Sequence, residues 1–439
     1  MSPRFGREEA LDAALICLAK AGAMAWVVHC GFQQVSDDDH SRVVIAEQFA
    51  ASPKLDPSGT SWLPFPFWIH GLAMALFGRS LGTAHATAFV LGVFASVAPY
   101  FAARAVGTAR LPAVIGAATF ALTPWSVWLG VAPVPEAWVG ALMGAGLLLV
   151  TAASGRAVVL GGLALLVAAL SRYDAWAACA LAAIVLSVRA ARDPAGRRWS
   201  VVAAVLAAVG PIMWMAWNLK VHGSATHFVD RVAAYRRSIG AASAPLPDKL
   251  LGYPRATWSA APEIVVLFAI FGAIAARSTI LVRRWRLPLA GAALTLAFLI
   301  WGDVRDGAPT HHPERAIVAV LAPLCGFAGE GIAAAWTSLV DKVRRPLWMG
   351  LAGAAFAAWC YFAAGRWSYV PGRDESERRD VQIARGNDLR ARGAAHVTVE
   401  PCQYEHFALI AAFGAPERVT TLPSSKRAVD ATCPLVTEP

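Results

Sequence analysis

Charge is what this sequence has least of. Only 15% of its 439 residues are Asp, Glu, Lys or Arg, against about 25% in soluble domains, and 57% are hydrophobic. So little charge excludes a wholly water-exposed fold of this length. The signatures of soluble enzymes are missing too: there is no Gly-rich phosphate loop, no HExxH, no paired CxxC and no serine elbow. Their absence argues against a nucleotide-using cytoplasmic active site. The short alternating segments of barrel strands are also lacking, which removes a closed β-barrel. Cysteine is sparse, at seven residues: Cys17, Cys179, Cys325 and Cys360 sit in apolar segments and Cys30 ends the first of them. Cys402 and Cys433 sit in the polar tail, where a disulfide is open to them if the tail is extracytoplasmic.

What the chain has instead is apolar runs long enough to cross about 30 Å of hydrocarbon. Spans are expected at 11–30, 82–103, 111–130, 136–153, 157–171, 174–190, 200–217, 261–277, 287–301, 316–336 and 347–365. The fold class is thus all-α and polytopic, with about 11 transmembrane helices, the first of them retained. The net charge of +10 does not point to nucleic acid. Its basic residues cluster between apolar segments, at Arg189, Arg192, Arg197 and Arg198, at Arg277, Arg283, Arg284 and Arg286, and at Lys342, Arg344 and Arg345. That is the positive-inside pattern of cytoplasmic loops.

The segment 62–78, "WLPFPFWIHGLAMALFG", tests the topology. If it does not span, eleven spans keep Arg104, Arg110, Arg156 and all three basic clusters inside, and put the acidic stretches outside. If it spans, everything after it inverts. Residues 40–78 therefore read as interfacial helices on the outer surface, within a first outer loop at 31–81. A second outer loop, 218–260, carries a Ser/Ala/Pro/Gly stretch that suggests a mobile lid. A transmembrane domain, 1–365, precedes a tail, 366–439, that reads as a small α/β domain outside the membrane. In that tail "ESERRDVQIARGNDLRARG" and "YEHFALIAAFG" read as helices, "HVTVEP" and "RVTTL" as strands. The protein is placed in the cytoplasmic membrane with its N-terminus inside and its tail outside.

The polar residues that interrupt this pattern gather at outer mouths of spans. Asp37, Asp38, Asp39 and His40 follow the first span. A carboxylate there suits a general base toward an acceptor hydroxyl or amine, and equally a solvated span end whose Ser36 or aspartate caps a helix. Glu136 opens the fourth span, where a first-turn carboxylate also suits the helix dipole. Arg172 and Asp174 break the run 157–190, and charges at such depth tend to face a cavity or a partner. His311, His312, Glu314 and Arg315 precede the tenth span, and Arg231, Tyr235, Arg236 and Arg237 lie in the large outer loop. Cationic groups outside break the topology rule and suit an anionic lipid phosphate. A carboxylate beside such cations fits transfer of a group from a lipid phosphate carrier.

"DDHSRVVIAEQFA", the proline–aromatic stretch 62–78 ending in Phe-Gly, "VAPVPEAW", "SRYDAW" and "HHPERAIV" together resemble the polytopic GT-C glycosyltransferases. That is the fold of the protein O-mannosyltransferases and the lipid A aminoarabinose transferases. The resemblance covers roughly residues 10–365, without the family's Lys-Pro-Pro pattern between Asp38 and Pro64. It implies an inverting transferase whose partners are a polyprenyl-phosphate-linked sugar donor, membrane lipids, and a glycan, lipid or protein acceptor. It makes Asp38 the leading catalytic carboxylate and Asp39 the second, with Glu136, Asp37 and His40 supporting the acceptor or a metal. Arg172, Arg315, Arg236, His311 and His312 would hold the donor phosphate. No cofactor is implied with certainty, and a divalent metal stays optional. A lipid-linked glycan transporter or flippase would instead place charges near span midplanes and show symmetry between halves. A polymer ligase would share the basic cavity without needing an acid in the first outer loop.

Overall fold

The computed structural model describes residues 6–238, 244–306, 312–340, 359, 361–362, 364–371, 373–401, 403–423 and 434–437. Its helical part begins with α1 (Arg7–His29), α2 (Asp37–Ala51), α3 (Phe65–Phe77), α4 (Leu81–Ala95), α5 (Ala98–Ala105), α6 (Arg110–Ala121), α7 (Pro124–Val131), α8 (Glu136–Leu149) and α9 (Gly155–Ala169). It continues with α10 (Ala175–Arg192), α11 (Arg197–His222), α12 (His227–Ser238), α13 (Leu246–Ala260), the broken α14 (Pro262–Ala275), α15 (Thr279–Val304) and α16 (Glu314–Val340). Among the described residues each apolar run expected to span is helical, although 82–103 and 111–130 are each divided into two helices.

The expected count of eleven is not established. Six helices among the described residues are long and apolar enough to cross, and eight if each of two bent pairs makes one span. The helices α8 and α9 are apolar but short, at 14 and 15 residues, and residues 347–358 of the last expected span lie outside the described residues. Proline causes both bends. Pro124 opens α7 after a 61° turn from α6, and Pro262 opens α14 after a 92° turn from α13. The first break is filled by Lys20 of α1. Its ammonium donates to the carbonyls of Ala121 and Ser126 at 2.9 and 2.6 Å and to Ser126 Oγ at 2.9 Å, one acceptor for each of its three protons.

Contacts sort the loops onto two ends of the helical body. At one end Arg104 meets Glu9 at 3.0 Å, Arg110 meets Asp12 at 2.7 Å, and Glu330 accepts from Thr108 and Arg284 at 2.9 and 3.1 Å. At the other lie the first outer loop, the turn 171–174, the start of α16 and the tail. The helix α3 has both ends on this second side. The Phe65 amide donates to the Leu170 carbonyl at 3.1 Å, and Arg79, just past the other end, pairs with Glu417 of the tail at 2.8 Å. With 13 residues it reaches about 20 Å, so it lies across α2 rather than crossing. Gly71 permits that contact: a Cβ there would fall 2.9 Å from the Ala46 carbonyl oxygen.

The large outer loop, expected as a lid, contains two helices, α12 and α13, with 239–243 outside the described residues. Pro245 and Pro247 start α13 rather than loosening the segment. The tail forms α17 (Arg373–Ala391), β1 (Val397–Glu400), α18 (His406–Phe413), β2 (Val419–Thr421) and β3 (Leu435–Thr437). Strand β1 is central, parallel to β2 and antiparallel to β3. Gly414, at φ +75°, ends α18 as a left-handed cap. The strand β3 was not foreseen, being three residues without alternation, and Cys402 and Cys433 lie outside the described residues. Leu389, Val397, Val399, Leu409 and Phe413 of this domain share one core with Val43, Val44 and Ala46 of α2. The tail is therefore packed directly on the helix that carries the aspartates.

The centre of the helical body is α16, with 78% of its apolar window buried against 33–44% in the other long spans. Within lipid the hydrophobic effect does not drive helices together, so close packing of small residues must. Gly116 and Gly140 bring α6 and α8 against α16, where an added Cβ would stand 2.8 Å from Gly326 Cα and 3.0 Å from the Val318 carbonyl oxygen. Gly116→Val is expected to cost about 1–3 kcal/mol, read as a lowered thermal midpoint in detergent. Gly22→Val on α1, where an added Cβ meets nothing within 4 Å, should leave the midpoint unchanged.

Candidate active site

The three aspartates open α2, where first-turn carboxylates suit the helix dipole. Each has a different environment. Asp39 is fully buried and turns back to accept the Val35 amide at 2.7 Å and the Ser36 hydroxyl at 3.3 Å. No side chain caps the first turn of α2; Asp39 instead fixes the two residues that lead into it. Asp37 is held by the tail: Arg379 Nε and Nη2 lie 2.7 and 3.4 Å from its two oxygens. Asp38 is exposed, and no hydrogen bond or ion pair to its carboxylate occurs among the described residues.

Behind them runs a buried chain of charge. Arg315, in the first turn of α16, reaches Asp39 at 3.3 Å, the Ser36 hydroxyl at 3.0 Å and Glu136 at 3.0 Å. Glu136, the first residue of α8, also accepts from Arg172 at 2.5 Å. Arg172 grips Asp174 in the same turn, with Nε and Nη2 each 2.8 Å from Oδ2. Asp39, Glu136, Asp174 and Arg315 are all at most 5% exposed. Buried charges of this kind persist only when paired and hydrogen-bonded.

Three carboxylates against two guanidiniums leave the chain one negative charge in excess, and Arg42 supplies the missing positive one. One turn along α2 from Asp38, its guanidinium lies over the Trp62 ring at 4.6 Å and 5.8 Å from the Phe67 ring. It stands within electrostatic range of Glu136, Arg315 and Asp38, yet forms no ion pair among the described residues. Its Nε is buried and unpartnered, as is Glu136 Oε2. Sequence reasoning missed both Arg42 and Arg379 as site residues. The i, i+4 spacing from Asp38 marked Arg42, whereas nothing local marked Arg379, 342 residues from its partner.

The remaining expected residues are dispersed. Arg236 is buried against Asp303 at 2.7 Å, and Lys249 of α13 joins it there through Asp306 at 2.7 Å. His312 has a left-handed backbone, φ +55°, and its carbonyl accepts the Arg315 amide at 3.0 Å, fixing the entry to α16. His311 lies outside the described residues. His40 is buried beneath α2, its Nδ1 unpartnered. Burial, with His85 and Arg379 nearby, pushes its pKa down to about 3, and burial pushes that of His70 on α3 down to about 4. Among the described residues no three His, Cys, Asp or Glu side chains converge where a metal could sit. Glu136, Asp37 and His40 do not come together as one set: two are held by arginines and the third is apart.

No family model matches the chain, and no curated protein sequence matches it. Solved structures do. The crystal structure of ArnT from Cupriavidus metallidurans bound to undecaprenyl phosphate aligns with a TM-score of 0.58 at 15% identity, covering 94% of this chain and 89% of that one. The apo structure of the same protein aligns with a TM-score of 0.49 at 16% identity, covering 92% and 74%. The chain thus has the GT-C fold that the sequence motifs resembled.

Two predictions follow from the buried groups. Arg315→Ala strands Asp39 and half of Glu136's pairing in the interior, a loss of about 3–5 kcal/mol; a lowered thermal midpoint in detergent checks it, with Arg315→Lys falling between. The two histidines act through pH. Their unfolded rings protonate near pH 6.5, but the folded ones only near pH 3 and 4. Their stability contribution is therefore full above pH 6.5 and declines as pH falls, by about 1.4 kcal/mol per pH unit for each ring. A His40→Asn/His70→Asn double variant should lose less thermal midpoint between pH 7.5 and 5 than the parent.

Proposed function

We propose that the protein is a membrane glycosyltransferase that moves a sugar from a polyprenyl-phosphate-linked donor to an acceptor at the outer face of the cytoplasmic membrane. One observation carries this reading. Of three adjacent aspartates, two are each held by an arginine and the third, Asp38, is exposed and its carboxylate has no partner among the described residues, at the mouth of a buried arginine network. The fold supports it, since ArnT was crystallised with undecaprenyl phosphate.

In this reaction the acceptor oxygen attacks the anomeric carbon of the donor, and its proton passes to the Asp38 carboxylate. The bond from that carbon to the phosphate oxygen breaks on the opposite face, inverting the centre, and the polyprenyl phosphate departs with the electron pair. Arg42, which balances the chain's excess charge without forming an ion pair among the described residues, receives the growing phosphate charge, with Arg315 and Arg172 behind it. Asp39 and Glu136 hold those two arginines in place and keep their charge compensated while the donor is absent. Arg236, buried against Asp303, and His312, at the entry to α16, stand outside this chain of charge and shape the approach of the donor head group. No step is assigned to a metal.

Reconstituted protein supplied with a radiolabelled polyprenyl-phosphate sugar and membrane acceptors tests this. Asp38→Asn should lower transfer by about 10²–10⁴-fold with donor binding retained, and Arg42→Ala should weaken donor binding itself. Full transfer by Asp38→Asn, or transport of the intact donor without bond cleavage, would overturn the reading.

A further inference from the structure

The helix α13 divides into three sectors along its length. Leu246, Leu250, Pro254 and Trp258 recur every four residues on one line, with Leu251 beside them. Leu246 and Trp258 are 56% exposed and Leu250 and Leu251 44%, with Pro254 half-buried between them, so this face is largely open to its surroundings. The adjoining sector is charged and also exposed, with Arg255 paired to Asp248 at 3.0 Å. The third sector, Lys249, Tyr253, Ala256 and Ala260, is buried against the body. A surface helix in water needs only the last two of these. An exposed apolar stripe bordered by charge is the pattern of a helix lying at a bilayer interface.

The corner that follows sets its orientation. The two arms, Leu246–Ala260 and Pro262–Ala275, meet at 92°. The second arm is apolar and enters the helical body, where Ile264 and Ala275 are fully buried. The second arm packs on the central helix α16, and helices of such a bundle stand within a few tens of degrees of the bilayer normal. At 92° to that arm, the first runs near the membrane plane. Arg366 braces the corner, donating to the Ala260 carbonyl at 2.7 Å and to Glu263 at 2.6 Å. The geometry is fixed on both sides of the bend.

We propose that α13 is a membrane-docking helix, seated in the bilayer interface at the site end with Leu246, Leu250, Leu251 and Trp258 among the acyl chains and the Asp248–Arg255 pair in the headgroup layer. Its opposite face carries Lys249 to Asp306, and Tyr253 into electrostatic range of Asp174, Arg172, Asp303 and Arg236. The helix is thus the wall between the lipid and the arginine network, and a lipid-borne substrate meets the site across it. The docking itself does not depend on the reaction proposed above.

Nitroxides placed through an encoded keto amino acid at 248, 250, 251, 255 and 258, one at a time in the full chain in phosphatidylcholine–phosphatidylglycerol nanodiscs, test this. None of these five side chains is packed in the body, so the labels disturb no core. Relaxation by oxygen, which concentrates in lipid, relative to a water-soluble nickel chelate should be several-fold higher at 250, 251 and 258 than at 248 and 255. Equal nickel accessibility at all five positions would overturn the proposal. Protection of 250, 251 and 258 from both reagents would also overturn it, because a protein rather than the bilayer would then cover the stripe.

Discussion

Everything at the site end depends on one chain of buried charge, from Asp39 through Arg315, Glu136 and Arg172 to Asp174. It ties together the first turns of α2, α8 and α16 and the turn between α9 and α10. Its members are separated by as much as 276 positions in sequence (39 to 315), so no local preference could build it. An isolated carboxylate or guanidinium at this depth would cost several kcal/mol, and each becomes tolerable only because the next is already there. The chain is therefore all-or-none, and it fixes the relative position of four elements with the directional precision that apolar contacts in lipid lack. The same chain holds Arg315 and Arg172 rigidly at the floor of the site, where a phosphate would otherwise have to order flexible cations itself.

The opposite end and the middle are built on different terms. There the helices are held by close approach of small residues and by polar groups that satisfy one another. Lys20 shows why a charge can be useful inside the body. At the break before Pro124 the helix ladder is interrupted, and polar backbone groups need partners where water is absent. One ammonium from α1 ties the two sides together, donating to the Ala121 carbonyl before the break and to the Ser126 carbonyl and hydroxyl after it. The bend it supports directs α7 toward the loop that ends at Glu136, so a residue far from the site helps to aim a carboxylate within it.

The membrane class, the non-crossing nature of α3, and the meeting of Arg172, Glu136 and Arg315 with the first outer loop were legible in the sequence. Charge parity and burial cost are properties of composition along the chain, and they act whatever the tertiary details. What could not be read was how each partner is shared. Asp37 and Asp39 are chemically identical neighbours, and only the third dimension gives one to Arg379 and the other to Arg315. Arg42 looked like an ordinary residue on an amphipathic helix because its aromatic platform, Trp62 and Phe67, is about twenty residues away beyond an irregular loop. The Ser/Ala/Pro/Gly stretch that suggests a lid in 218–260 falls largely at 239–243, outside the described residues, and where it is described its prolines begin α13, as proline in a first turn readily does. The span count of eleven stays unestablished because α8 and α9 are short for a crossing and residues 347–358 lie outside the described residues.

The tail changes what the aspartates can do. Without it, three carboxylates in one helical turn would repel one another, and the turn could relieve this only by protonation or fraying. Arg315 answers one from the membrane side. Arg379, itself almost wholly buried, answers another from the tail, and the shared core beneath it holds α17 and α18 on α2. A single carboxylate is left facing solvent, its neighbours neutralised in opposite directions. The selection of Asp38 is thus a property of the docked pair of domains: the membrane body and the tail each remove one competitor, and neither could leave one free acid alone.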